Sequence, residues 1–557
     1  LFRSHLMPVK EAVLTNRHQV FLLHGVTGSG KTEVYLQAIQ ACLDQGREAI
    51  VLVPEISLTP QMVERFKGRF GDDVAVLHSR LSQGERYDEW RKITRREVKV
   101  VIGARSAIFA PLTRIGLIII DEEHESSYKQ EESPKYHAKE VAIRRAEHFG
   151  ATVVLGSATP SLESWHEAMP AAQGGGGRFR LLSMKERVEG RALPRVQLVD
   201  MREELKAGNR SMFSRALYDG LNERLIRREQ TVLLLNRRGY STFVMCRNCG
   251  HTIRCPHCEI SLTYHLNSRM LRCHYCGYAD RQPSVCPACE SAHIRYFGTG
   301  TQRVEEELAK LFPGIRVIRM DVDTTSTKGA HEKLLSAFRD KKADVLLGTQ
   351  MVAKGLDFPD VTLVGVIAAD TVLHLPDFRS AEKTFQLLTQ VAGRAGRHHL
   401  PGEVIIQTYT PEHYSIQAAG HHDYAEFVDM EMGLRRMAGY PPYSRLILVT
   451  FSHEEPLLVA KTAESFAKRA QELAAQAGYA LSTNVTDGHQ GKSLTLLGPV
   501  PSPIPRIKDR YRFQLMIKYR GEREVSDLVG RVADDFEDVV RTRKLQISID
   551  IDPQVLM

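Results

Sequence analysis

Eight of the nine cysteines in this 557-residue chain fall within 44 residues, as four Cys-x-x-Cys pairs: Cys246/Cys249, Cys255/Cys258, Cys273/Cys276 and Cys286/Cys289. Two thiolates three positions apart wrap a tight backbone turn around one Zn2+, and two such pairs complete a tetrahedral S4 site. The stretch is therefore expected to fold around two metal ions. Disulfides, a redox Cys-x-x-Cys and an iron–sulfur cluster use the same residue type. Redox motifs do not come in fours, however, and the phosphate-handling motifs described below belong to a reducing compartment.

Loop lengths suggest the pairing. The middle pairs enclose 14 residues, 259–272, room for a hairpin with one knuckle on each side, so Cys255, Cys258, Cys273 and Cys276 are assigned one zinc. Only five residues separate Cys249 from Cys255, which cramps adjacent pairing and leaves Cys246, Cys249, Cys286 and Cys289 to share the other zinc. Sequential pairing stays open as the alternative. His257 and His274 lie inside knuckles and are read as supporting or surface residues, because four thiolates already complete each metal.

Charge limits what this insert does. Between Arg237 and Arg295 there are eight Arg, no Lys and three acids, a balance of +5 that falls near +1 once eight thiolates and two Zn2+ are included. Its arginines mostly balance its own metals, so a rigid protrusion suited to strand separation or partner docking is expected ahead of a basic DNA-gripping finger.

The whole chain is too long for one core, and three or four domains are expected. A net charge of +8 with 43% hydrophobic and 25% charged residues is an ordinary globular balance, compatible with nucleic acid and decisive for nothing. No apolar run approaches the roughly 20 residues of a membrane span, so no membrane partner is expected. Leu1 is followed by no signal-peptide pattern, which reads as a piece of a longer chain.

Short apolar runs at residues 20–24, 49–53, 98–102, 117–120 and 152–155, separated by helical patterns, predict a parallel sheet covered on both faces. A second set at 232–235, 317–320, 345–347, 362–367 and 404–407 predicts a second α/β lobe, with the cysteine insert entering after its first strand. Four glycines at 174–177 mark a flexible stretch near the join. Beyond residue 434 the pattern changes to a helix at 457–475 and an alternating strand through Leu545, Ile547, Ile549 and Ile551. The predicted organisation is lobe 1 at 1–205, lobe 2 at 206–434 with the insert at 246–289, and a C-terminal α/β domain at 435–557.

Gly25-Val-Thr-Gly-Ser-Gly-Lys31-Thr32 follows the first apolar run and precedes a helix with Leu36, Ile39 and Leu43 on one face. In that setting Gly25, Thr27, Gly28, Ser29 and Gly30 form a loop whose backbone N–H groups surround phosphates. Lys31 reaches the β/γ-phosphates and the Thr32 hydroxyl binds Mg2+. Residues 117–120 run into Asp121-Glu122-Glu123-His124, placing carboxylates at the carboxyl end of a buried strand, where open α/β sheets bind ligand. Asp121 suits Mg2+, and Glu122 suits activation of the attacking water. Cys42, the remaining cysteine, reads as a core residue.

These blocks are followed by Gly156-Ser-Ala-Thr-Pro160, Leu235-Asn-Arg-Arg-Gly239, residues 348–360 and Gln390-Val-Ala-Gly-Arg-Ala-Gly-Arg397. In that order the chain resembles superfamily 2 helicases of the Asp-Glu-Glu-His type. The cysteine insert, Asp377-Phe-Arg-Ser-Ala-Glu382 and Leu497-Gly-Pro-Val-Pro501 are similar to the bacterial replication-restart (primosomal) helicases among them. The resemblance covers residues 20–557 and implies two P-loop (RecA-like) lobes with parallel sheets. It further implies Gln390, Arg394 and Arg397 facing the nucleotide across the lobe cleft. Planar guanidinium groups supplied from a second lobe would stabilise charge on the transferring phosphoryl.

The resemblance also implies ATP, Mg2+ and two Zn2+ as cofactors, and forked and single-stranded DNA as substrates. Single-stranded-DNA-binding protein, primosome and helicase-loader proteins are the implied partners, and a monomer in the bacterial cytoplasm is the implied state. Residues 128–137 resemble an aromatic-rich loop sensing single-stranded DNA, with Tyr128, Tyr136 and His137 as stacking faces and Lys129 and Lys135 as phosphate contacts. Gly348, Thr349, Gln350 and Lys354 match a block beside nucleotide and backbone phosphates. In the C-terminal domain, Tyr511, Phe513 and Tyr519 alternate with basic residues, a pattern that suits either single-stranded nucleic acid or a structural strand. No adenine-recognising glutamine segment is evident before residue 20, and the family's amino-terminal 3′-end-reading and winged-helix domains are not among these residues.

The expected function is an ATP-dependent 3′→5′ DNA helicase at abandoned forks. A duplex translocase that regresses forks and a nucleotide-switched zinc scaffold are the alternatives, and the water-activating Glu122 weighs against the scaffold.

Overall fold

A computed structural model of the chain describes residues 2–54, 60–79, 81–235, 243–258, 260–265, 270–296, 300–321, 324–325, 329–349, 352, 358–396, 400–482, 492–520 and 524–556. Arg397, residues 236–239, Gln350 and Lys354 lie outside the described residues.

The first lobe is a seven-stranded parallel sheet of β1 (Gln19–Gly25), β2 (Glu48–Leu52), β3 (Val74–Leu77), β4 (Val100–Gly103), β5 (Ile115–Asp121), β6 (Thr152–Ser157) and β7 (Phe179–Met184). The strand order is β3-β4-β2-β5-β6-β1-β7. Alternate side chains enter the two helical layers: Phe21 and Leu23 join one buried cluster, Val20 and Leu22 the other. Burial on both faces is why these strands read as continuous apolar runs. β3 and β7, the two edge strands, were not among the predicted runs, although β3, Val-Ala-Val-Leu, is buried throughout.

The second sheet has the order 317–320, 345–348, β9 (Gln230–Leu234), 361–366, 403–408, β8 (Arg195–Asp200), all parallel. β8 corrects the predicted boundary at residue 205. It pairs with Glu403–Thr408, so the second lobe's sheet begins at Arg195 and the insert follows its second strand in chain order. As an edge strand with partly exposed side chains on both faces, β8 leaves no apolar run to read.

The C-terminal domain is a five-stranded sheet ordered 480–482, 493–507, 510–520, 445–453, 546–551, covered by the helices Pro456–Gln476 and Glu524–Asp534. The cysteine insert, expected as a rigid protrusion beside the motor, packs on the C-terminal domain. Its Cys246, Cys255, Cys258, Cys273, Tyr275 and Cys286 share one buried cluster with Tyr440, Leu446, Leu497 and Met516 of the C-terminal domain. Gln514 donates to the His274 carbonyl at 2.8 Å, and a Cβ on Gly277 would stand 2.8 Å from Val500.

Residues 377–382 sit where all parts meet. Phe378 stacks on Tyr440 at 4.5 Å, and the Arg379 guanidinium lies over Phe378 at 4.3 Å. Arg379 reaches Glu163 of lobe 1 (2.9 Å) and the Pro553 carbonyl (3.1 Å). Burial raises the Glu163 carboxyl, but Arg379 and Arg435 outweigh it and hold it down to about 2. Arg435 lies buried between Glu382 (2.6 Å) and Glu431 (2.8 Å), so this interior charge is doubly paired.

Candidate nucleotide cleft and metal centres

The loop after β1 turns through left-handed Gly28 (φ 83°) and Gly30 (φ 92°), conformations that a Cβ disfavours, and delivers the helix Lys31–Asp44 with its N-terminus toward the loop. Lys31 Nζ is folded back onto the carbonyls of Gly25 (2.5 Å) and Val26 (3.4 Å). Ser29 is buried at the loop's base, where a Cβ on Gly25 would stand 2.6 Å from its Oγ. Gly25, Thr27, Gly28, Ser29, Gly30, Lys31 and Thr32 thus lie on one loop and helix start.

Asp121 ends β5 beside this loop. Burial and adjacent Glu122 push its carboxyl up to about 6, against Lys31 and the Tyr35 hydroxyl, which lower it. Tyr35 donates to Asp121 Oδ1 at 2.9 Å, and Tyr128 donates to the Asp121 carbonyl at 2.7 Å. The Tyr35 hydroxyl passes through the space a side chain at position 156 would occupy: a Cβ there would lie 1.7 Å from it, which explains Gly156. Glu122 has φ 49°, unusual for a non-glycine residue, and its buried Oε2 has no hydrogen-bond partner among the described residues. The donor chemistry fits Mg2+ and a nucleotide: an ammonium resting on carbonyls, a buried carboxyl and a carboxylate oxygen with open acceptor capacity.

Of the rest of the acidic box, Glu123 bonds within lobe 1 and His124 reaches lobe 2. Glu123 accepts from Ser161 N (2.7 Å), Ser164 Oγ (2.7 Å) and Lys139 (3.3 Å). His124 Nδ1 is 2.7 Å from Ser157 Oγ, and its Nε2 is 3.0 Å from Gln390 Nε2 in the helix Ser380–Ala392. Because the Gln390 amide is a donor, His124 Nε2 accepts and its Nδ1–H points to Ser157. Gln390 therefore lies in the cleft but engages His124. The turn after this helix carries Arg394 and abuts the phosphate loop, with a Cβ on Gly393 only 2.7 Å from Thr27 Oγ1.

The loop at 128–137 is placed differently from its sequence reading. Tyr128 is 1% exposed and Lys129 6%, so neither offers a free face. Lys129 pairs with Asp550 (2.8 Å) and donates to the Ile551 carbonyl (2.6 Å), and Lys135 lies 3.5 Å from Asp550. His137 caps the helix Ala138–Phe149, while Tyr136 packs edge-on against Phe109. Tyr519 and Lys518 are buried too, which favours a structural strand there. Sequence reasoning missed Tyr35, which looks like any apolar helix position, and Arg187, which sits in a charged linker without a motif.

Both thiolate sets assemble in the nested arrangement. Cys246, Cys249, Cys286 and Cys289 bring their sulfurs within 4.8 Å of one another, as do Cys255, Cys258, Cys273 and Cys276. Sγ–Sγ separations of 3.7 Å (Cys246–Cys289), 3.6 Å (Cys249–Cys286) and 3.6 Å (Cys255–Cys276) match the edge of about 3.8 Å for a tetrahedron with Zn–S near 2.3 Å. They are far from a disulfide's roughly 2 Å. His274 meets His265 (3.1 Å) and His257 is exposed, so neither joins a metal set.

Two parallel-sheet lobes carry a phosphate loop and an acidic box at their cleft, and helicase family profiles match both lobes. The DEAD/DEAH box helicase family matches residues 8–168 and the helicase conserved C-terminal domain residues 290–399. The PriA DNA helicase Cys-rich region matches residues 255–281, and the primosomal protein N C-terminal domain residues 436–554. The chain is 61% identical to replication restart protein PriA of Bacillus subtilis over 100% of its own length and 66% of the relative's. It is 50% identical to that of Synechocystis (97% and 63%) and 42% identical to that of Treponema pallidum (96% and 76%). The chain belongs to the replication restart protein PriA family. It spans just under two thirds of the Bacillus and Synechocystis relatives.

Proposed function

We propose that this chain is the motor of an ATP-dependent 3′→5′ DNA helicase that acts at stalled or abandoned replication forks and supports primosome assembly. The observation that carries the motor reading is His124, held between Ser157 of lobe 1 and Gln390 of lobe 2, two positions after Glu122 and three after Asp121. A change at the phosphates is thereby transmitted to both lobes.

Lys31 would pair with phosphate oxygens, and Asp121 and Thr32 would hold Mg2+, which would supply charge neutralisation at the phosphates. Glu122 accepts a proton from the attacking water, and Arg394, with Arg397, supplies positive charge from the second lobe. Family likeness supports ATP as nucleotide, forked and single-stranded DNA as substrates, and single-stranded-DNA-binding and helicase-loader proteins as partners. It also supports action as a monomer in the bacterial cytoplasm.

Turnover of ATP with and without DNA, for wild type and Lys31→Ala, tests the reading. Turnover is expected to be lost in the variant, and its retention rules out the motor. Unwinding confined to substrates with a 3′ single strand is expected, and equal activity on blunt duplex would point to a duplex translocase.

A further inference from the structure

The chain crosses from lobe 1 to lobe 2 between Met184, the end of β7, and Arg195, the start of β8. Most described residues of this linker are exposed, yet it touches the phosphate loop at Arg187 and Val188. Val188 N donates to the Gly28 carbonyl at 3.0 Å. Arg187, 7% exposed, lays its stem along Gly28, with Cγ, Cδ and Nε 3.7–3.8 Å from where a Cβ on that glycine would sit. Its Nε donates to the Thr27 carbonyl at 3.1 Å, and its Nη1 to the carbonyls of Gly396 and Ala192, each at 3.2 Å.

Thr27 belongs to the phosphate loop of lobe 1, and Gly396 to the turn of lobe 2 that carries Arg394. A guanidinium presents diverging donors on one rigid plane, so a single side chain bonds carbonyls on two sides. An ammonium is a point donor and does not reproduce that fork. Both bonds hold only at this separation of the lobes. Resting on the reading of the cleft as an ATP-hydrolysing site, we infer that Arg187 is a positioning residue for hydrolysis. It ties the phosphate loop to the arginine-bearing turn, so the interlobe linker sets the register of the two halves of the site.

Arg187 touches the loop through backbone carbonyls, so its removal should affect turnover and not ground-state binding. The test compares wild type, Arg187→Ala, Arg187→Lys and Lys31→Ala in DNA-stimulated ATP turnover, fluorescent-ADP affinity and melting temperature. Both Arg187 variants are expected to keep ADP affinity within about threefold while kcat falls about 10- to 100-fold. If Arg187→Ala does not fold, Arg187→Lys carries the test. Wild-type kcat in Arg187→Lys overturns the inference, because charge without the fork would then suffice. So does a parallel loss of kcat and ADP affinity at unchanged melting temperature, which would make Arg187 a direct nucleotide ligand. Undiminished turnover in Lys31→Ala sinks the hydrolytic reading itself, whereas an inactive Lys31→Ala beside a fully active Arg187→Lys sinks the inference alone.

Discussion

Single atoms decide much of the nucleotide cleft. Gly156 lies in a block legible in the sequence, yet its reason is the Tyr35 hydroxyl that crosses its missing side chain to reach Asp121. Tyr35 is 1% exposed and has no room to swing away. Gly156→Ala should destabilise lobe 1 by about 1–3 kcal/mol in urea unfolding, and combining it with Tyr35→Phe should recover part of the loss. A full-strength Gly156→Ala protein would show that the helix Lys31–Asp44 shifts freely. His374 offers a second residue-level test. Burial pushes its imidazole from 6.5 down to about 3, with Arg254 and His413 adding to the effect, and neither ring nitrogen has a hydrogen-bond partner among the described residues. The unfolded chain therefore binds the extra proton between about pH 3 and 6.5, so stability rises with pH across that window and is lost as pH falls through it. His374→Phe, beside Phe243 at 5.0 Å, should flatten that slope relative to wild type in pH-dependent denaturation. An unchanged difference between the two proteins across the window would refute it.

At the level of elements, the central strands of both lobes were read from the continuous apolar runs that burial on both faces leaves, whereas the C-terminal strands 445–453 and 510–520 were not assigned. Edge position alone does not hide a strand, because 317–320 and 546–551 are edge strands that were read; β7 and β8 escaped because partly exposed side chains break their apolar run. The metal-bearing insert was legible in its ligands and nesting but not in its surroundings. Cys-x-x-Cys spacing is a local property, whereas packing on Leu446, Leu497 and Met516 depends on residues some 200 positions away. Chelating both zincs should therefore weaken amide-exchange protection in the strands Arg445–His453 and Arg510–Arg520 as well as in the insert. Loss confined to residues 246–289 would mean that the shared cluster survives without metal. Unwinding should fall more than ATP turnover in the same samples, because the cleft residues lie outside this cluster.

Across the whole molecule, the C-terminal strand is tied to both lobes: Lys129 pairs with Asp550, Arg379 donates to the Pro553 carbonyl and Lys383 to that of Gln554. Asp550→Leu strands the buried Lys129 charge and should cost about 3–5 kcal/mol, whereas Lys129→Met leaves Asp550 beside Lys135 and should cost less. The double variant should lie much nearer wild type. Additive losses in a denaturation cycle would mean that the pair is not coupled. The family resemblance made Lys129 and Tyr128 candidate nucleic-acid contacts, whereas long-range packing engages them with Asp550 and Asp121. The linear chain settled the chemistry: phosphate loop, acidic box, eight thiolates and two α/β lobes each follow from residue type and spacing over a few positions. Tertiary structure alone decided the places of β7 and β8, the seat of the insert on the C-terminal sheet and the bridges made by Tyr35, His124 and Arg187. Those depend on contacts between residues tens to hundreds of positions apart, which local periodicity does not encode.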